Sequence, residues 1–266
     1  MNRYIFLKVS LMLLLISGCS KDSNENGTSS ETRTEADVRT DFANLQINPG
    51  INDLRLESIT KGVYWNFRLV VPEEASENNR RPLLLHLHGG ASNLIPDAHQ
   101  STDCILRSGF EDMHPYVVSP NSNGELWFSP SNQVQVLALL DLISSTLFVD
   151  NDKVAVTGFS DGGNGSWFYA QFYGVLFAAA IPISTSYNTE NASGEVSPIT
   201  IPLYVIHGSE DQLFPLETTE GFVTASIEAG SDIEFVVAEG LDHYSSCDLY
   251  TPYLMDASDW LANIWQ

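Results

Sequence analysis

Two kinds of apolar pattern alternate along most of the chain. Short apolar runs have the length of strands, and Leu83–Leu87 is apolar at all but one position, which is typical of a parallel strand covered on both faces. Longer segments between these runs have the apolar spacing of helices. The alternation predicts an α/β fold with a mostly parallel central sheet and helices on both faces. The predicted strands are 54–60, 63–71, 83–87, 116–119, 152–157, 178–183, 203–206 and 233–238, and the predicted helices are 101–108, 133–147, 166–173, 216–229 and 248–264.

Residues 1–18 have the pattern of a targeting segment. Arg3 and Lys8 lie in a basic start, a nearly continuous apolar stretch follows, and small residues precede Cys19. The apolar stretch is too short to span a membrane comfortably. Its end resembles the lipobox of bacterial lipoproteins, which implies cleavage before Cys19 and attachment of lipid to its sulfur. The implied location is the bacterial outer membrane or the cell surface; the alternative is a secretory signal that is cut elsewhere.

The remainder of the chain divides into a polar segment and one domain. Residues 19–45 are rich in Ser, Asn, Thr, Glu and Asp and show no apolar periodicity, so they are predicted to be a flexible tether. Residues 46–266 contain all the predicted strands and helices and no internal repeat. A single α/β domain is therefore expected there.

The composition argues against nucleic acid as a partner. The formal net charge is -22, and only 12 residues are Lys or Arg. Phosphate binding depends on clustered basic side chains, which this chain does not offer. The acidity is interpreted as a solvated surface that keeps the protein soluble.

The motif Gly158-Phe-Ser160-Asp-Gly162 follows a predicted strand and precedes a predicted helix. This is the context of the nucleophile elbow, in which flanking glycines allow the close approach that a strained turn requires. Ser160 is therefore the candidate nucleophile. A purely structural strand-to-helix turn is the alternative, so a base, an acid and an oxyanion hole must be found elsewhere in the sequence.

From about residue 62 onward the chain resembles the α/β-hydrolases. Within that fold it is similar to the single-domain esterases grouped with phospholipase/carboxylesterases, feruloyl esterases and polyhydroxybutyrate-depolymerase-like proteins. The order of nucleophile, acid and histidine along the chain is the order that this fold uses. The matching motifs are His88-Gly-Gly90, Gly158–Gly162, His207-Gly-Ser-Glu-Asp211 with Pro215, and Gly240-Leu-Asp-His243.

The triad is predicted to be Ser160, Asp211 and His243. Of the six histidines, only His243 lies downstream of Asp211. Asp211 matches the position of the acid in the family, whereas Glu210 and Asp242 remain as alternatives because triads are defined by geometry and not by spacing. His243 is expected to be the general base and the carboxylate to orient it.

The oxyanion hole is predicted to consist of the backbone N–H groups of Gly90 and Asp161. The Asp161 carboxylate is expected to point away from the hole, where it interacts favourably with the helix dipole. His86 and His88 alternate along one strand, but no third ligand is evident, so neither a metal nor another cofactor is predicted. In an oxidising compartment the pair Cys104 and Cys247 favours a disulfide over two buried thiols.

Aromatic residues at the predicted carboxyl edge of the sheet suggest a substrate rim. The stretch from 184 to 200, where larger hydrolases insert a lid, is short, so no large lid domain and an open cleft are expected. We therefore expect a serine carboxylesterase acting on acetylated or feruloylated glycans or similar bulky esters. The alternatives are a peptidase of the prolyl-oligopeptidase type and a binding protein without catalysis. The predicted rim residues are Trp127, Phe128, Phe214 and Tyr244, and Tyr187 lies in the same group of loops.

Overall fold

The computed structural model describes residues 32–106 and 110–266, with only the backbone at 105 and 106. An eight-stranded sheet in the order β1-β2-β4-β3-β5-β6-β7-β8 forms the centre of this part of the chain. The β1–β2 and β2–β4 pairs are antiparallel and the remaining pairs are parallel. The strands are β1 (Gly50–Glu57), β2 (Tyr64–Val71), β3 (Arg81–Leu87), β4 (Tyr116–Pro120), β5 (Val149–Phe159), β6 (Ala179–Ile183), β7 (Leu203–Gly208) and β8 (Ile233–Ala238). The helices are α1 (Glu35–Ala43), α2 (Asp103–Leu106), α3 (Pro130–Thr146), α4 (Asp161–Tyr173), α5 (Leu216–Glu228) and α6 (Cys247–Ile264).

Helices cover both faces of the sheet, which explains why its central strands are apolar along their whole length. On one face, Leu83 and Leu85 of β3 belong to a core that includes side chains of α1, α3, α4 and α5. On the other face, Leu84 belongs to a core that includes Tyr250, Leu254 and other side chains of α6. The predicted mostly parallel sheet with helices on both faces is confirmed.

Helix α1 corrects the predicted tether. Its N-terminus has a capping box between Thr34 and Asp37. Val38 and Phe42 lie one turn apart on the same face of the helix and are buried in the core, with Phe42 only 1% exposed. Arg33 forms ion pairs with Asp41 and Glu57. The tether prediction for 19–45 is therefore wrong from residue 32 onward, because two apolar side chains on one helical face are enough to dock a short helix. The predicted signal at 1–18 and Cys19 lie outside the described residues.

Most predicted elements occur within a few residues of their expected bounds. The clearest differences lie at two helices. The helix predicted at 101–108 begins later, at Asp103 of α2, after a 3-10 turn at Ala98–Gln100, and it is described as far as Leu106. Helix α4 begins directly after Ser160 and not at Ser166, because its glycine-rich first turn shows no apolar spacing. None of the helices in the described part is long and apolar enough to cross a membrane.

Candidate active site

Ser160 lies on the sharp turn between β5 and α4. Its backbone is in a positive-φ conformation (φ 57°, ψ -122°), which a residue with a side chain adopts only under local constraint. The Ser160 N–H donates to Ile183 O at 2.9 Å and holds the turn. A methyl group at Gly162 would lie 1.8 Å from Leu87 O, and one at Gly158 would lie 2.4 Å from backbone atoms of Gly162. Glycine is therefore required on both sides of the serine.

Asp211 lies in the loop after β7 with its side chain fully buried. Its Oδ1 accepts hydrogen bonds from the N–H groups of Leu213 and Phe214 at 2.9 and 2.8 Å. These bonds fix the carboxylate, whose Oδ2 lies 2.8 Å from His243 Nδ1. The alternatives Glu210 and Asp242 are both exposed, and Asp242 caps its own turn by accepting from Tyr244 N–H. The structure thus places Asp211 against His243.

The imidazole of His243 connects the carboxylate to the serine. Its Nδ1–H donates to Asp211, so Nε2 is left as the acceptor for the Ser160 hydroxyl, with a distance of 2.9 Å between Nε2 and Oγ. The ring is 5% exposed and contacts the rings of Phe159 and Phe214. The three side chains predicted from the sequence therefore form one line of hydrogen bonds.

The His88-Gly89-Gly90 loop after β3 is held by its carbonyl groups. Trp127 Nε1–H donates to His88 O at 2.9 Å, and His88 Nδ1–H donates to Gly89 O at 2.8 Å. Burial lowers the pKa of His88, so the ring is neutral and its Nε2 accepts from Ser122 N–H at 3.1 Å. A methyl group at Gly89 would lie 3.2 Å from Ser160 Cβ, which shows how closely the loop approaches the serine. Because its carbonyls are engaged elsewhere, the loop can present N–H groups towards Ser160.

The predicted substrate rim is partly wrong. Trp127 is 1% exposed and supports the loop after β3, so its indole cannot form a rim. Phe128 is exposed, but it contacts Phe168 of α4. Phe214 and Tyr244 do flank the His243 ring, and Tyr244 is 83% exposed. An aromatic residue in a loop is often buried to support it, and the residue pattern alone does not distinguish that role from contact with substrate.

Tyr187 has a comparable structural role away from the triad. Its ring stacks on Trp167 of α4 with the ring centres 6.2 Å apart, and its hydroxyl donates to Gln171 Oε1 at 3.0 Å. The loop that follows β6 is tied to α4 by these contacts. No helix interrupts the segment between β6 and β7, so nothing in the described chain has the size of a lid domain.

A cavity of about 250 Å³ lies beside the serine turn, and sequence reasoning did not predict it. Its wall is mostly apolar, and the cysteine pair contributes to it. Cys104 and Cys247 form a disulfide that joins α2 to the first residue of α6, four positions after His243. Besides the disulfide, the wall of the cavity includes His86, Phe159, Ile183 and Leu254.

No cluster within the described chain has three His, Cys, Asp or Glu side chains arranged to hold a metal ion. The two histidines of β3 and its following loop are used for hydrogen bonds. His86 Nε2 lies 3.1 Å from Ser101 O, and both nitrogens of His88 have backbone partners.

Solved structures with the same architecture support the fold. A thermostable esterase matches with a TM-score of 0.65 at 21% identity, over 80% of this chain and 62% of its own, so the chain spans less than two thirds of that protein. The fluorophosphonate-binding serine hydrolase FphF of Staphylococcus aureus matches with a TM-score of 0.62 at 20% identity, over 81% of this chain and 100% of its own. MGS-M1, an α/β hydrolase from a Medee basin deep-sea metagenome, matches with a TM-score of 0.64 at 20% identity, over 82% and 99% of the two chains.

Sequence comparison identifies the family. No curated protein matches the chain significantly. The model of the dienelactone hydrolase family matches residues 125–257, which is half of the chain and runs from the loop after β4 through the nucleophile turn and the acid to α6. The protein has the α/β-hydrolase fold and belongs to the dienelactone hydrolase family, and with it to the hydrolases that act on esters.

Proposed function

We propose that this protein is a serine carboxylesterase that works through a covalent acyl-enzyme. The observation that carries the proposal is the hydrogen-bonded line from Asp211 through His243 to Ser160, with distances of 2.8 and 2.9 Å. Serine is a weak nucleophile at its own pKa and needs an adjacent base, which the free Nε2 of His243 supplies.

In the first step, Ser160 Oγ attacks the ester carbonyl carbon and His243 Nε2 takes the hydroxyl proton. The resulting imidazolium is stabilised by the Asp211 carboxylate, whose position depends on the N–H groups of Leu213 and Phe214. The carbonyl oxygen becomes an oxyanion. When the tetrahedral intermediate collapses, the bond to the alcohol breaks and the alcohol leaves with the proton from Nε2.

The oxyanion would be bound by the backbone N–H groups of Asp161 and Gly90. Asp161 begins α4, so its N–H lies at the positive end of the helix dipole, directly after the nucleophile. Gly90 follows Gly89, where an added methyl group would lie 3.2 Å from Ser160 Cβ. In the second step, water attacks the acyl carbon and gives a proton to His243 Nε2. When this second tetrahedral intermediate collapses, the bond to Ser160 Oγ breaks, Oγ takes the proton back from Nε2 and the acid leaves; the same two N–H groups serve again.

The proposed substrate is a bulky or polymer-borne ester, such as an acetylated or feruloylated glycan. The support is the exposed Tyr244 ring beside His243 and the lack of any helix in the described connection between β6 and β7, residues 184–202. An exposed aromatic face can hold a sugar ring or an aryl group. The formal charge of -22 disfavours polyanionic substrates and nucleic acid.

The decisive experiment uses Ser160→Ala with Ser166→Ala as the matched control. Ser166 lies in α4, the helix that follows Ser160, and its hydroxyl donates to Gly162 O. Ser160→Ala should stay folded and lose at least ~10⁴-fold of its ester hydrolysis together with labelling by a fluorophosphonate, whereas Ser166→Ala should keep the labelling. Equal turnover in Ser160→Ala and wild type would refute the proposal, and cleavage of peptide amides in preference to esters would favour a peptidase.

We further propose that the enzyme is lipid-anchored through Cys19 at the outer membrane or cell surface. The proposal rests on the lipobox-like sequence that ends at Cys19. Mass spectrometry of the mature protein should find a lipidated N-terminal Cys19, and Cys19→Ser should no longer partition with membranes. An unlipidated N-terminus at another residue would show that the segment is an ordinary secretory signal.

A further inference from the structure

Phe214 contacts both the acid and the base of the proposed triad. Its N–H donates to Asp211 Oδ1 at 2.8 Å, and its ring lies edge-on to the His243 ring, with 5.1 Å between the ring centres. Its carbonyl oxygen accepts from a third group, Nε2 of His207, at 2.8 Å. One residue therefore links the positions of the carboxylate and the imidazole to a side chain that has no part in the triad.

The loop after β7 is fixed in two halves. In the first half, 208–211, the N–H groups of Ser209 and Glu210 donate at 3.0 and 2.9 Å to carbonyl oxygens at the end of β8 and just after it. The second half, 212–214, has no such bond to another strand among the residues that the structure describes. Apart from the two N–H groups that it donates to the acid, its one hydrogen bond is with His207, which therefore ties this half to the sheet.

His207 can hold the loop because its own position is fixed. It lies in β7, which has β6 on one side and β8 on the other, and its side chain is fully buried. Close packing leaves a buried ring few alternative rotamers. The hydrogen at Nε2 therefore points at Phe214 O from a rigid element, which is how a supporting residue keeps a site in its productive geometry.

The bond to Phe214 also determines the tautomer of His207. A carbonyl oxygen can only accept, so Nε2 carries the hydrogen. Burial lowers the pKa of His207, so the ring is neutral at neutral pH. Nε2 lies 3.9 Å from Asp211 Oδ2, which is too far for a hydrogen bond. His207 is therefore not a charged competitor for the carboxylate, and its effect on the acid passes through Phe214.

We propose that His207 is a positioning residue for the triad: by holding the Phe214 carbonyl, it keeps the Phe214 N–H and ring where they fix the acid and the base. The inference rests on the proposed esterase function and adds a fourth side chain on which the reaction depends. The carboxylate must be in place when the imidazolium forms in the transition state. A loosened loop should therefore lower kcat/KM.

The test replaces the imidazole by side chains of different reach. His207→Leu removes the donor, His207→Asn places an amide N–H near the position of Nδ1, and His207→Gln places one near the position of Nε2, where it can still donate to Phe214 O. We would measure kcat/KM for 4-nitrophenyl acetate. It should fall about tenfold in His207→Leu and His207→Asn, the worth of one neutral hydrogen bond, and stay within about threefold of wild type in His207→Gln.

Hydrogen exchange followed by NMR measures the position of the loop without any reaction. The N–H groups of Leu213 and Phe214 are protected by their bonds to Asp211 Oδ1. In His207→Leu these two amides should exchange about tenfold faster than in wild type, and in His207→Gln at close to the wild-type rate. The matched control is Val205→Ala, which removes buried methyl groups two positions earlier in β7; it should lower stability and leave kcat/KM and both exchange rates unchanged.

The outcomes separate this inference from the proposed function. Wild-type kcat/KM in His207→Leu, or equal losses in folded His207→Leu and His207→Gln, would overturn the positioning role. If His207→Leu did not fold, equal kcat/KM in His207→Gln and His207→Asn would overturn it, since only the longer amide reaches Phe214 O. The exchange rates test the role of His207 even if no ester is cleaved. A wild-type protein that cleaved no ester and was not labelled at Ser160 by a fluorophosphonate would instead refute the esterase function.

Discussion

The buried imidazole of His86 should make the protein sensitive to acid in a way that one substitution can isolate. Burial lowers the pKa of His86 from 6.5 to about 4, and the nearby His88 lowers it further, whereas the bond to Ser101 O opposes the shift. Below about pH 6.5 the unfolded chain takes up a proton at this position and the folded protein does not. The free energy of unfolding must therefore fall as the pH decreases from 6.5 towards 4. Only above about pH 6.5, where His86 is neutral in both states, does the protein keep the full stability that this titration removes.

The size of the effect follows from the two pKa values. Each pKa unit of difference corresponds to about 1.4 kcal/mol. The titration of His86 therefore lowers the free energy of unfolding by about 2 kcal/mol between pH 7 and pH 5, and by about 3 kcal/mol at pH 4. His86→Gln removes the titration and keeps an amide N–H that can donate to Ser101 O. Because burial also lowers the pKa of His88, His99 and His207, only the difference between wild type and variant isolates His86.

The assay is urea unfolding followed by tryptophan fluorescence at several pH values between 7 and 5. His86→Gln is expected to lower the free energy of unfolding at neutral pH by an amount that does not depend on pH. Between pH 7 and pH 5, however, its free energy of unfolding should fall by about 2 kcal/mol less than that of wild type. Parallel curves for wild type and His86→Gln, within about 0.5 kcal/mol, would refute the reasoning.

Two further predictions concern the supports of the site. Trp127→Phe removes the donor to His88 O, so kcat/KM should fall about tenfold while the free energy of unfolding changes by about 1 kcal/mol. The control is Trp167→Phe, which changes a buried Trp of α4 outside the loop and should alter stability without that loss of activity. Equal kcat/KM in both variants would contradict the role of Trp127. The double variant Cys104→Ser/Cys247→Ser removes a crosslink between residues 143 positions apart, so chemical denaturation should show a loss of about 3–5 kcal/mol, and unchanged stability would contradict the contribution of the bond.

Much of the fold and of the residues brought together at the site could be predicted from local signals. The central strands are long apolar runs because both faces of the sheet are covered, and the chain order of Ser160, Asp211 and His243 left one histidine available. The carboxyl ends of parallel strands meet at one edge of a sheet, so residues that follow β5 and β7 were expected to meet there. The hydrogen bonds between these three residues are consistent with that expectation.

The parts that could not be predicted depend on contacts between distant segments. Helix α1 is stabilised by Val38 and Phe42 in the core and by the contacts of Arg33 with Asp41 and Glu57, and its own sequence is polar. The role of Trp127 depends on a carbonyl 39 positions earlier in the chain. Neither contact has a signature within a short window, since both require the sheet to be assembled first.

The loop after β3 shows how the fold can prepare a backbone for chemistry without a dedicated side chain. Free carbonyl groups near Ser160 would repel a developing oxyanion, so their direction matters as much as that of the N–H groups. Here the carbonyls of His88 and Gly89 accept from Trp127 and from the His88 ring, and that of Ala91 accepts from Ser122 Oγ at 2.7 Å. Two of these three donors, Trp127 and Ser122, come from the segment after β4, the strand that pairs with β3 on the opposite side from β5. The neighbouring strand therefore orients the backbone on which the proposed oxyanion hole depends, which gives a physical reason why a substitution at Trp127, outside the triad, should slow the reaction.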